Sequence, residues 1–206
     1  RVLVVGSFLR KDHPLIAQRL RQAAKKYTKV SMLSVTADDQ LIDLHESLAV
    51  APSQMARALA AVVKAAAGLK GAAVPAGLDG VSPDEASKRI ARSLVDGEKC
   101  AIFLGNVVTQ STDATQLQAL ALELGKLTNA TVGFLGEAAN VVGGHVSGAL
   151  PSGANASQMF LQPRKAYVLM GIEPELDCGN PQAVVAALKQ ASLVVCMSAF
   201  KHAPAL

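Results

Sequence analysis

Three times in this chain an apolar run ends in glycine, passes through a short polar loop, enters an amphipathic helix and closes on a second apolar run. The three openings are Val2-Leu3-Val4-Val5-Gly6-Ser7, Ala101-Ile102-Phe103-Leu104-Gly105-Asn106 and Ala166-Tyr167-Val168-Leu169-Met170-Gly171. A short apolar run followed by a helix-period segment is the pattern of a β-α-β unit, and such units build a parallel sheet with helices on both faces. The fold expected is therefore α/β, with repeated Rossmann-like units around a mainly parallel sheet. Sheets of this kind take ligands at the carboxyl ends of their strands, where the three glycine loops lie.

Half of the residues are hydrophobic but only 3% are aromatic, so the apolar mass is Ala, Val and Leu. That suits a sheet buried on both faces under close-packed helices. Mean hydropathy is +0.30, yet no apolar run approaches the ~18 to 20 residues needed to span a bilayer, and direct membrane insertion is not expected. The net charge of +4 is modest. Arg19, Arg21, Lys25 and Lys26 on the first helix read as a solvated face, and without interleaved aromatics no nucleic-acid surface is signalled. Cys100, Cys178 and Cys196 form no C-x-x-C pair. His13, His45, His145 and His202 form no metal-ligand spacing, so no metal site is expected. The three cysteines suit a reducing compartment.

Along the chain, a helix is expected from about His13 to Lys26, with Asp12 as its N-cap, then a strand at about 30–35. Leu41, Ile42 and Leu44 read equally as a short strand or a helical turn. A helix after Ser53 and another from Ser82-Pro83-Asp84-Glu85 to about Val95, started by a capping box, make a helical insertion over 53–95. The second unit continues with a helix from about Asp113 to Leu127 and a strand at 131–135. The third has a strand at 166–170, a helix started by Asn180-Pro181, and a last strand at Leu193–Met197. The stretch Gly136–Pro151 is too rich in glycine for more than one or two helical turns. Because the chain opens at Arg1 directly in a strand and stops soon after another, it reads as a fragment of a longer polypeptide.

The glycine loops carry little legible chemistry. Ser7-Phe8-Leu9-Arg10-Lys11-Asp12-His13 has two cations and a helix start, but neither G-x-G-x-x-G nor Walker A spacing, and Phe8 is bulky where a phosphate needs room. It reads as a structural turn. Asn106, Thr109, Gln110 and Ser111 make the second loop the most polar, suited to hydrogen-bonding a ligand or to capping a helix. Glu173, Glu175 and Asp177 in the third loop read as a solvated acidic turn. No catalytic residue is expected.

Val2–Ser7, His13-Pro14-Leu15 and Arg19-Leu20-Arg21 resemble the start of a module found in molybdopterin-type oxidoreductases. Gly136-Glu137-Ala138-Ala139-Asn140, Gly148-Ala149-Leu150-Pro151 and Tyr167–Asp177 are similar to segments of one branch. That branch is the large iron–sulfur subunit of bacterial NADH:quinone oxidoreductase (respiratory complex I; the 75 kDa subunit in mitochondria). The resemblance covers nearly the whole chain. It implies one molybdopterin-oxidoreductase-like domain over 1–206, cut from the C-terminal region of that subunit. It also implies an NADH dehydrogenase role exercised only within the complex, with the other subunits as partners. The location implied is the cytoplasmic side of the bacterial inner membrane, held there through the complex.

Iron–sulfur clusters are implied elsewhere in the full-length subunit, and no cofactor in this fragment. Molybdenum enzymes of the family hold guanine-dinucleotide pterins in the corresponding loops. This sequence departs from their pattern at Phe8, at Gly171-Ile172-Glu173-Pro174 and after the second strand, where Ser34-Val35-Thr36 lacks an acidic residue and an arginine. The expectation is a vestigial crevice lined by Ser7, Asn106, Thr109, Gln110 and Glu173. A working cofactor-binding domain and a free-standing nucleotide-binding module stay open as alternatives.

Overall fold

The computed structural model describes residues 1–138 and 140–200. Ala139 and His202, both named above, lie outside the described residues. The chain divides into two compact units, Arg1–Val142 and Gly143–Leu206.

The first unit carries five strands: β1 (Val2–Val5), β2 (Val30–Ser34), β3 (Leu44–Ala49), β4 (Cys100–Leu104) and β5 (Ala130–Phe134). All pair in parallel in the order β3-β2-β1-β4-β5. The apolar runs Val2–Val5 and Cys100–Leu104 are thus neighbours, with Val2 opposite Ala101 and Val5 opposite Leu104. β1 lies at the reversal of strand order, the place where sheets of this type open a crevice.

Alternate side chains serve different helices. Leu3, Val5, Leu33, Ile102 and Leu104 point to a core shared with α3 (Met55–Lys70), α4 (Glu85–Val95) and α6 (Ala114–Thr128). Val4, Val30 and Met32 point to a second core with Leu9, from α1 (Leu9–Asp12), and Ala17 and Leu20, from α2 (Pro14–Ala24). Each fully buried Leu, Ile or Val contributes about 1.5–3 kcal/mol. The helices at 53–95 therefore form a covering layer: Leu59, Val62, Val63, Ala66, Ile90 and Ala91 are all shut from water. Alanines at 56, 60, 61 and 67 are buried along α3, and their short side chains allow close helix contact. Gly125 has the same effect on α6, since a Cβ there would lie 2.7 Å from Val132.

The second unit begins within α7 (Val141–Val146) and holds α8 (Ala156–Leu161), β6 (Ala166–Met170), α9 (Pro174–Asp177), α10 (Pro181–Lys189) and β7 (Leu193–Met197). β6 and β7 pair in parallel, Ala166 opposite Leu193 through Met170 opposite Met197, as a separate two-stranded sheet. Tyr167 and Leu169 are buried with Val184 and Leu188 of α10. The Tyr167 hydroxyl donates to the Met159 carbonyl and accepts from the Arg164 N–H, both at 2.8 Å. The Phe160 ring stacks on Tyr167 at 5.9 Å between centroids.

Local starts differ from expectation in places. The first helix is broken: α1 turns inside the loop after Gly6, and α2 begins at Pro14 with His13 as N-cap and no side-chain cap bond. Asp12 is therefore not the cap. The α4 cap is Asp84, which accepts from Ser87 N at 2.7 Å, so the helix starts two residues after Pro83. Asn180 caps α10 by accepting from Ala183 N, with Pro181 in the first turn.

Candidate functional site

The carboxyl ends of β1 and β4 meet at the point of reversal. Gly6 leaves β1 with φ +62°, and Gly105 leaves β4 into α5 (Asn106–Thr109), a single turn inside what reads as loop. The two loops touch. A Cβ on Gly105 would collide with the Gly6 carbonyl oxygen and lie 2.5 Å from Ser7 Cβ, and one on Gly6 would lie 2.9 Å from both Met55 Cε and Val108 Cγ2. Glycine is needed at both positions because the two loops pack directly on each other, with no room for a ligand between.

The backbone donors around this contact are engaged within the protein. Gly6 N donates to Leu33 O, Gly105 N to Val5 O, Val107 N to Gly6 O, and both Val108 N and Thr109 N to Gly105 O, at 2.8–3.2 Å. A phosphate cradle needs such N–H groups free and convergent.

Four of the five expected crevice residues lie in this unit. Ser7 and Asn106 come together beneath the loop contact, at 4% and 8% exposure. Asn106 Nδ2 donates to Asp12 Oδ2 at 2.9 Å, tying the second loop to α1. Ser7 Oγ and Asn106 Oδ1 are buried without a hydrogen-bond partner. Thr109 Oγ1 turns back to donate to the Asn106 carbonyl at 3.1 Å. Gln110 is exposed, and its amide donates to the Glu137 carboxylate. Glu173 belongs to the second unit, where it is the N-cap of α9 and its N–H donates to Asp177 Oδ2 at 2.6 Å.

Two open clefts flank the contact. One, of about 460 Å³, is lined by Ser53, Met55, Val107, Gln110 and Ser111 among others. The other, of about 260 Å³, is lined by Phe8, Arg10, Lys11, Asp38, Asp39 and Gln40. Ser7 and Asn106 line neither. Sequence reasoning missed the 36–40 segment. Its signal was the Asp38-Asp39 pair just after β2, where Thr36 Oγ1 donates to Asp38 and Leu41 N to Asp39.

Burial first, and then the negative charge of Asp177, push the Cys178 thiol up in pKa. That is opposite to what a thiolate nucleophile requires. Among the described residues no three His, Cys, Asp or Glu side chains gather into a metal-binding group, and no helix is long and apolar enough to cross a membrane.

Residues 1–203 match the family model described as molybdopterin oxidoreductase. The chain belongs to that family, a module related to redox enzymes. No curated protein matches it. A pterin dinucleotide does not fit the residues present. The two glycine loops occupy the point of reversal themselves, the phosphate-directed donors are engaged, and the polar atoms of Ser7 and Asn106 are sealed from water.

Proposed function

We propose that this member of the family is a structural part of the large iron–sulfur subunit of NADH:quinone oxidoreductase, respiratory complex I. It supports electron transfer from NADH to quinone without a redox centre of its own. The observation that carries the reading is the closed reversal point, with the Gly6 carbonyl and Ser7 standing where a Cβ of Gly105 would be. A domain that held its nucleotide there would keep room between those loops and free N–H groups beneath them. The resemblance of Gly136–Asn140 and Tyr167–Asp177 to that branch supports the finer assignment. On this reading the iron–sulfur clusters sit elsewhere in the polypeptide. The other subunits of the complex are the partners, and they hold the domain at the cytoplasmic side of the membrane.

A tag on the chromosomal copy tests the assignment. The polypeptide is expected to co-purify with membrane NADH:quinone oxidoreductase activity, and the isolated chain to carry only substoichiometric iron, molybdenum and tungsten. Stoichiometric molybdenum or tungsten in the isolated chain would instead support a working cofactor domain. That second reading draws on one observation, the unpartnered polar atoms of Ser7 and Asn106.

A further inference from the structure

We propose that α1 is a strap, latched across the carboxyl ends of β2, β1 and β4 by Arg10 and Asp12, whose release exposes Ser7 and Asn106. This deepens the reading above, because it rests on a reversal point that is closed in the resting state.

The latch has one tie on each side. Arg10 Nη1 donates to the Asp39 carbonyl at 2.5 Å, reaching the segment after β2. Asp12 Oδ2 accepts from Asn106 Nδ2 at 2.9 Å, reaching the turn after β4. Between the ties α1 is only four residues long and has no side-chain cap. A helix of one turn does not hold itself together in water. Its outer residues Arg10, Lys11 and Asp12 are exposed, and Leu9 alone enters the core. The backbone leaves helical geometry at both ends, at Phe8 (φ −84°, ψ 62°) and at His13 (φ −134°, ψ 57°), so each end can hinge.

The closed state also has an unusual weakness. Ser7 Oγ, His13 Nε2 and Asn106 Oδ1 are buried without partners. Each would regain water when the strap lifts, which favours opening over a closure lined by satisfied groups. An apolar lid would carry no such bias.

The test places a thiol under the strap. Ser7→Cys is made in the chain carrying Cys178→Ser and Cys196→Ser, and alkylation by iodoacetamide is mapped by mass. Cys100, buried in the core under α3 and α4, reports global unfolding in the same sample. Adding Arg10→Ala and Asp12→Ala is expected to speed labelling at position 7 about tenfold, the scale set by loss of charge-assisted hydrogen bonds, with Cys100 unchanged. Asp12→Asn alone keeps an oxygen for the Asn106 amide and is expected to label at the parent rate. An unchanged rate at position 7 in the alanine pair would overturn the proposal. So would acceleration in step with Cys100, or an Asp12→Asn rate equal to that of the alanine pair. If the introduced thiol disturbs folding, amide exchange of the Arg10→Ala/Asp12→Ala pair in the otherwise unaltered chain gives the same contrast: faster exchange at 8–13, none at Met55–Lys70. Failure here leaves the metal analysis of the isolated chain untouched, so the strap and the functional reading fall separately.

Discussion

Gly6 with Gly105 in the first unit, and Gly171 in the second, end the same sequence pattern under different physical demands. At Gly105 the neighbouring loop fills the space a side chain would need, and at Gly6 both the space and the φ of +62° require glycine. At Gly171 φ is +64°, but nothing lies within 4 Å of the place a Cβ would take, so only the backbone conformation demands glycine. The surroundings differ in the same sense. β1 and β2 are buried on both faces, whereas Val168, Met170, Leu193 and Met197 of the two-stranded sheet are more than half exposed. One repeat became a packed reversal point and the other an open turn. A repeated glycine in a sequence therefore does not imply a repeated function.

Substitutions can break that comparison. The largest effect is expected for Gly105→Ala, whose Cβ would meet backbone that cannot yield. It should cost about 3 kcal/mol or more in urea denaturation, and a cost under about 1 kcal/mol would show that the loops are not packed together. Gly6→Ala should follow at about 2–3 kcal/mol, since its neighbours are side-chain ends that shift but its φ is left-handed. Gly171→Ala should cost only the conformational penalty, about 1–2 kcal/mol.

Helix caps sharpen the contrast through pH. The Ser87 N–H bonded to Asp84 holds that carboxyl below its usual pKa. A depressed folded-state pKa stabilises above the unfolded value, and the benefit is lost as pH falls through the folded value. Asp84→Ala is expected to cost about 1 kcal/mol at neutral pH, with the difference from the parent closing below about pH 4. Asn180→Ala in the second unit should cost a similar amount at every pH, because Asn does not titrate. The smallest effect is expected for Ser7→Ala. Removing a buried hydroxyl without a partner should be neutral or stabilising by up to about 1 kcal/mol, whereas clear destabilisation would mean that Ser7 has a partner such as bound water.

The strands were readable in advance because Val2–Val5, Cys100–Leu104 and Leu193–Met197 are continuous apolar runs, and such runs declare themselves wherever they pair. Which sheet they join did not follow, since a buried parallel strand carries no mark of its neighbour. That is why the third repeat forms a sheet of its own without warning from its residues. α1 and α5 escaped notice because four residues are too few to show a period. Asp12 looked like a cap from local sequence alone, but its partner Asn106 lies 94 residues away. At the site, Ser7 and Asn106 were identifiable from their place after the strand-end glycines. Their burial was not, because it depends on the two loops touching.

Closure of the reversal point to nucleotides is tested most directly by calorimetric titration of the purified chain with a guanine dinucleotide. No saturable heat is expected up to about millimolar ligand, which corresponds to binding weaker than roughly −4 kcal/mol. Micromolar binding that Asn106→Leu abolishes would contradict a closed reversal point.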